Sequence, residues 1–264
     1  MTLTFSKPLK VWWQLLQRDL YVFRKQYIDY LINTLLWPLQ ASIAFGYVFP
    51  LMGMAESYGA SILLASVVYK CLYESYFQSS EAVADINNLR SIDFALTLPL
   101  PAWMLLSKNI AYFIIRSMLL GVPIIAIGKL VLQDRFPLDA WAPGLALVSF
   151  LATSIFFAVF TILLAATVRN QIAFEHAWVR CFDILITWGS YWFPWYVLYK
   201  FAPAIAYVTL LNPFTLATEA IRCSFMGPAG NLPFWPCIGG LALETIIIGF
   251  TGYKMLKRRL DFVD

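Results

Sequence analysis

Several charged residues lie inside long apolar stretches of the sequence, where charged side chains are rare, and four of them are candidates for ion pairs. Lys70 and Glu74 are four residues apart, Arg116 lies in the next apolar stretch, and Glu244 lies in the last one. A charge at the centre of a lipid bilayer costs at least ~2.5–3.5 kcal/mol, so each of these side chains needs a partner or water. Such groups serve either as structural ion pairs or as the polar lining of a transport path.

Depth along the predicted helices decides which of these charges can meet. With a rise of 1.5 Å per residue, Glu74 and Arg116 lie within about 5 Å of the same depth. We therefore predict an ion pair between Glu74 and Arg116. Lys70 and Glu244 both lie near mid-depth, and we expect a second pair between them. Proton-coupled transport would use the same residues, so these charges alone do not separate one class of transporter from another.

The sequence contains no motif of a self-contained enzyme. It has no G-x-x-x-x-G-K-[ST] phosphate-binding loop, no G-x-S-x-G and no H-E-x-x-H. The single histidine, His176, has no second histidine with which to form a catalytic site, and the four cysteines lack metal-binding spacing. We therefore expect no catalytic residue, no metal and no cofactor bound by this chain itself.

Composition predicts a membrane protein. Of 264 residues, 61% are hydrophobic and only 13% are charged, against roughly 25% charged in a typical soluble domain. The apolar stretches are long and continuous, which predicts helices rather than the short alternating strands of a membrane barrel. The sequence thus predicts an all-α membrane protein with a single transmembrane domain over residues 1–264.

Six apolar stretches are long enough for transmembrane helices. An amphipathic segment, 9–27, precedes them and is predicted to lie in the membrane interface. A polar cytoplasmic loop, 79–106, follows the second span. A segment broken by four prolines, 195–233, is predicted to re-enter the outer leaflet before the last span. The six predicted spans cover about 30–51, 59–78, 107–132, 144–168, 179–194 and 234–253.

The basic residues predict the orientation of this layout. Thirteen Lys and Arg residues lie on the side of the two termini, and three lie on the opposite side. Because basic residues accumulate in cytoplasmic loops, both termini are predicted to be cytoplasmic.

Two motifs accompany this order of features. The first motif is the stretch R-S-I-D-F-A-L-T-L-P at 90–99, just before the third span. The second combines Phe193-Pro194, Asn212-Pro213 and the Glu219-x-x-Arg222 pattern ahead of the last span. The order of the features and these two motifs together resemble the membrane subunits of type-2 ABC exporters. Asp93 stands where that family commonly has Glu.

The resemblance implies an export permease, a transport subunit without an ATPase site of its own. Two copies of a separate P-loop ATPase would bind ATP. They would contact a cytoplasmic coupling helix whose residues are Arg90, Asp93, Phe94, Leu98 and Pro99. A second permease copy, identical or related, would complete the pathway among the lipids of a plasma (bacterial inner) membrane. We expect an amphipathic substrate, such as a lipid-linked glycan, a lipid or a drug-like molecule, and no nucleic-acid partner.

Two other classes of function stay open at this point. A secondary transporter driven by protons through Glu74, Arg116 and Glu244 would need no ATPase partner. A membrane scaffold or an enzyme subunit would carry no substrate. An ATPase that co-purifies with the chain separates the first interpretation from both alternatives.

Overall fold

The computed structural model of the chain describes residues 6–53, 55–85, 101–138, 140–168 and 170–261. Within these ranges the regular structure is entirely helical, as the composition predicts. The α-helices of the described residues are α1 (Ser6–Lys25), α2 (Tyr27–Ile43), α3 (Tyr58–Ala84), α4 (Ala102–Leu132), α5 (Pro143–Thr167), α6 (Gln171–Ala177), α7 (Asp183–Thr187), α8 (Trp195–Phe201), α9 (Pro203–Thr209), α10 (Pro213–Met226) and α11 (Phe234–Asp261).

Helix α1 is the predicted amphipathic helix, and it packs along α4. Its apolar residues recur every three or four positions, so they share one face. Leu16 and Phe23 on that face are buried, whereas Arg18 and Arg24 on the other face are exposed. A single residue, Gln26, separates α1 from α2.

Helix α3 is the central helix of the bundle. It contacts α2, α4, α5 and α10, and every residue from Gly59 to Val68 is buried. The close approach of α3 to the π-helical turn after α2 (Ala44–Val48) depends on Gly59, because a Cβ there would lie 2.5 Å from the Cα of Gly46. Neighbours on all sides therefore shield α3 over this stretch.

Four helical segments among the described residues are long and apolar enough to cross a membrane. They match the first, third, fourth and sixth predicted spans, and several helices of this kind are consistent with a multi-pass membrane protein. The segments are Tyr27–Met52, Trp103–Arg135, Pro143–Thr167 and Phe234–Arg259.

The other two predicted spans differ from expectation for different reasons. Helix α3 has the length of a span, but its polar and charged residues make it less apolar than the four segments above. The fifth predicted span, 179–194, is not a continuous helix. A π-helical turn, Trp178–Phe182, precedes the short α7, and irregular turns follow it. Ser190 adopts a positive φ of 58° there, which a regular helix does not allow.

The proline-rich segment before the last helix is broken, as predicted. Pro203 and Pro213 are the first residues of α9 and α10, a position where proline's missing N–H costs no hydrogen bond. These two helices are bent by 94° relative to each other. Helix α10 is buried between α3, α5 and α11.

The predicted cytoplasmic loop is shorter than expected at both ends. Helix α3 continues to Ala84, and α4 begins at Ala102, so the outer parts of 79–106 are helical. The loop's central motif lies outside the described residues.

Candidate functional site

A groove of about 500 Å³ lies between α2 and α3, with α4 at its base. Exposed side chains form its rim, and buried polar side chains form its floor. The rim includes Asn33, Trp37, Tyr73 and Phe77, and the floor includes Thr34, Ser66, Lys70, Glu74 and Arg116. The groove therefore opens on the side of the bundle, with its charged groups at the bottom.

Three charged side chains on the floor form one cluster around Glu74. The Glu74 Oε2 atom lies 2.9 Å from Lys70 Nζ, and Oε1 lies 2.6 Å from Arg116 Nε. Gln78 Nε2 donates a longer hydrogen bond of 3.4 Å to Oε1. Glu74 is 2% exposed, and Lys70 and Arg116 are each 8% exposed. A buried carboxylate thus bridges two buried cations.

Helical spacing explains why these groups meet. Lys70 and Glu74 are four residues apart, so both lie on the same face of α3. Arg116 comes from the neighbouring α4 at the same level. The predicted contact between Glu74 and Arg116 is therefore present in the structure.

Aromatic rings hold the Arg116 guanidinium from its other sides. Its central carbon lies 4.4 Å from the centroid of the Tyr30 ring and 5.3 Å from that of Phe23. One terminal nitrogen donates a 3.2 Å hydrogen bond to the Tyr112 hydroxyl. Cation–π contacts strengthen when they are shielded from water, so these rings stabilise a cation that α4 alone could not hold in an apolar setting.

The predicted pair between Lys70 and Glu244 is wrong. Lys70 is bound to Glu74, and Glu244 lies on α11, which packs mainly against α5 and α10. Among the described residues, the Glu244 Oε2 atom is buried without a hydrogen-bond partner. Similar depth was the basis of the prediction, and depth does not determine which way a helix face points.

A second cluster is centred on Glu219 and Arg222 of α10, both fully buried. Glu219 Oε1 accepts hydrogen bonds from Trp195 N (2.9 Å) and Arg222 Nη1 (3.1 Å), and Oε2 accepts one from Leu232 N (3.1 Å). Arg222 also donates to the carbonyl oxygens of Ser61 (3.3 Å) and Tyr191 (3.1 Å). The pair therefore joins α10 to four other segments.

The rest of the second motif shapes the chain around this cluster. The Asn212 side chain caps α10 by accepting from Phe214 N at 2.9 Å, and its Nδ2 donates to the carbonyl oxygen of Leu185 at 2.9 Å. Pro213 opens α10, Pro194 immediately precedes α8, and Phe193 is half-buried beside it. The motif residues thus fix the turns between α7 and α10.

The predicted coupling residues Arg90, Asp93, Phe94, Leu98 and Pro99 lie outside the described residues. Next to that loop, Lys108 at the start of α4 forms a 2.6 Å ion pair with Asp19 of α1. Trp12 Nε1 also donates to Ser107 Oγ at 3.1 Å. An ion pair and a hydrogen bond therefore connect α1 to the end of α4 that adjoins the loop.

Sequence reasoning missed the aromatic part of the groove. Tyr69, Tyr73 and Phe77 recur every four residues on α3, a spacing that places them on one helical face. It also missed Tyr191, whose hydroxyl accepts from Trp37 Nε1 at 2.8 Å and lies 3.1 Å from Ser66 Oγ. The four-residue spacing could have indicated the aromatic rim, but the contact across more than 100 residues could not be read from the sequence.

The described part of the chain contains no group of three or more His, Cys, Asp or Glu residues placed to hold a metal ion. The chain matches no protein-family model, and no curated protein or solved structure matches it.

Proposed function

We propose that this protein is the membrane-spanning permease subunit of an ATP-driven exporter, energised by a separate ATPase. It moves an amphipathic molecule, such as a lipid-linked glycan, a lipid or a drug-like compound, out of the cytoplasm. The observation that carries the proposal is the charged floor of a groove that opens on the side of an apolar helical bundle. The motif resemblance to type-2 ABC exporters adds the energy source.

The open side of the groove supports a second permease copy. Lys70, Glu74 and Arg116 lie near the middle of their helices, where a charge facing lipid costs at least ~2.5–3.5 kcal/mol. A groove with this floor must therefore face water or protein rather than hydrocarbon. A second copy, identical or related, would close the groove against lipid and convert it into one wall of a shared pathway.

In this proposal the chain crosses the membrane six times with both termini in the cytoplasm. Helix α3 supplies a crossing, because its 27 residues extend over about 40 Å. Its neighbours and the second permease copy would together shield its polar face from lipid. The interrupted helical run of α6 and α7 supplies the fifth crossing. The bent helices α9 and α10 form the re-entrant segment on the outer side.

Energy would enter at the cytoplasmic loop between α3 and α4. The resemblance implies that Arg90 and Asp93 would contact the ATPase. The ion pair between Asp19 and Lys108 supports a role for α1 in this coupling, since it ties α1 to the helix that follows the loop. ATPase closure would shift the pathway between inward- and outward-facing states.

Co-purification from the native host tests this proposal. The tagged protein, extracted gently, is expected to carry a stoichiometric P-loop ATPase. Reversing both charges in the loop (Arg90→Glu with Asp93→Arg) should remove that ATPase. The matched control reverses two exposed charges predicted to lie on the other side of the membrane, Glu56→Lys with Lys200→Glu, and should retain it. Recovery of functional protein without any ATPase would overturn the proposal.

One observation favours the proton-coupled alternative, namely the unpartnered carboxylate oxygen of Glu244. Of the three residues named for that function, Glu74 and Arg116 neutralise each other, whereas Glu244 has no such partner among the described residues. This alternative predicts that Glu244→Gln abolishes transport in cells while the exposed Glu81→Gln does not. It also predicts full function in a host that lacks the ATPase.

A further inference from the structure

The floor of the groove carries an excess of positive charge. Among the described residues that line it, Glu74 supplies the single carboxylate, whereas Lys70 and Arg116 supply two cations. The nearby acids Glu81 and Asp183 are exposed and lie outside the lining. The floor therefore has a formal charge of +1 when all three groups are ionised.

The Lys70 ammonium group has donors left over for a ligand. An ammonium group has three N–H donors, and Lys70 uses one of them, on Glu74 Oε2. No other hydrogen bond from Lys70 occurs within the part of the chain that the structure describes, although the residue is only 8% exposed. Because a buried charge is stabilised by hydrogen bonds, these donors are available to an acceptor that enters the groove, either water or a ligand group.

The rim of the groove has a different chemistry from its floor. Tyr73 is 38% exposed and Phe77 is 44% exposed, and their rings meet edge to face at 4.6 Å. Trp37 faces them from α2 and is 45% exposed. These side chains offer an apolar and aromatic surface directly above a cationic floor.

We propose that the groove binds an amphipathic molecule through a single anionic group, a phosphate or a carboxylate. Lys70 holds the anion through its remaining donors, Arg116 adds positive charge beside it, and the aromatic rim holds the apolar part. This inference rests on the proposed transport function and narrows its substrate from amphipathic molecules in general to anionic ones. The volume of about 500 Å³ lies within the usual range of small-molecule sites, about 300–1,000 Å³.

Thermal unfolding of the purified protein in phosphatidylcholine nanodiscs tests the inference. A ligand that binds only the folded protein raises the melting temperature in a saturable way. The probes are octyl phosphate, octyl trimethylammonium, octyl glucoside and inorganic phosphate, and tryptophan fluorescence is the readout. We expect a saturable rise with octyl phosphate and none with the other three probes.

Variants of the floor and the rim locate the site. Lys70→Gln should lower the affinity for octyl phosphate about tenfold or more, the usual effect of losing a charged hydrogen bond. Lys70→Arg should keep the response, which separates loss of charge from loss of folding. Lys200→Gln removes the same charge from an exposed position and should leave the affinity unchanged. On the rim, Phe77→Ser should weaken binding, and Phe201→Ser, at an 86% exposed position, should not.

Three results would overturn the inference. The first is no saturable response to octyl phosphate, and the second is an equal response to octyl trimethylammonium. The third is an unchanged response in Lys70→Gln. An equal response to inorganic phosphate would overturn the assignment to an amphipathic ligand, since a free anion would then be sufficient. This assay contains no ATPase, so its failure is distinct from a failure to recover the ATPase by co-purification.

Discussion

Replacing Glu219 by leucine removes a single carboxylate that accepts hydrogen bonds from three donors. The carboxylate is fully buried and accepts from Arg222 and from the backbone amides of Trp195 and Leu232 at 2.9–3.1 Å. Leucine has a similar volume but no acceptor, so the substitution leaves a guanidinium and two amides unsatisfied in the protein interior. We expect a large loss of stability with no change in the exposed surface.

The size of the loss follows from the partners that stay behind. Removing one member of a buried ion pair costs about 3–5 kcal/mol, and an unsatisfied buried amide costs about 1–3 kcal/mol. Arg222 keeps its hydrogen bonds to the carbonyl oxygens of Ser61 and Tyr191, which offset part of the charge penalty. We therefore expect Glu219→Leu to lower the free energy of unfolding by at least about 3–5 kcal/mol. Glu219→Gln keeps one carbonyl acceptor and should lose about 1–3 kcal/mol.

A double variant decides whether the uncompensated charge causes this loss. Replacing a buried ion pair by apolar residues of similar volume is often neutral or stabilising, so Glu219→Leu with Arg222→Met should be more stable than Glu219→Leu alone. Unfolding by dodecyl sulfate in mixed micelles, followed by tryptophan fluorescence, measures the stability of both variants. Glu56→Leu, at an exposed position, serves as the control. A double variant less stable than the single one, or a single loss below about 1 kcal/mol, would refute the reasoning.

Two further predictions concern the packing around α3. A double-mutant cycle with Glu74→Gln and Arg116→Gln should give a coupling energy of about 1.5–3 kcal/mol in the same unfolding assay, and a value below about 0.5 kcal/mol would contradict a direct pair. Gly59→Ala should cost about 1–3 kcal/mol, because the new Cβ meets the backbone of Gly46, which cannot move aside cheaply. Gly144→Ala, where the added Cβ meets nothing within 4 Å, is the matched control and should be neutral or slightly stabilising; equal losses at both positions would contradict the clash.

The parts of the site that depend on local spacing could be predicted from the sequence. Lys70 and Glu74 share a face of α3 because they are four residues apart. The rise per residue gave Glu74 and Arg116 similar depths, and α3 and α4 are neighbours in the bundle. Proline also marks the breaks before α9 and α10, since it is favoured at the first position of a helix.

The parts that depend on helix rotation or on distant contacts could not be predicted. Glu244 shares a depth with Lys70 but lies on a helix that packs against α5, so the two do not meet. The sequence predicts a span over residues 179–194, but the turns around Gly189 follow from tertiary packing. A Cβ on Gly189 would lie 2.1 Å from the carbonyl oxygen of Leu185 and 2.7 Å from the Phe214 ring. Local apolarity does not reveal so close an approach.

The groove beside the Glu74 cluster helps to decide whether these charges are structural or line a transport path. A cluster kept only for stability is best enclosed, because each contact with water weakens its electrostatic attraction. The Glu219 and Arg222 pair fits that description, being fully buried with every carboxylate oxygen engaged. The Glu74 cluster instead borders a groove of about 500 Å³ and leaves Lys70 donors unused. The contrast favours a structural role for the pair of Glu219 and Arg222 and supports the transport role proposed for the Glu74 cluster.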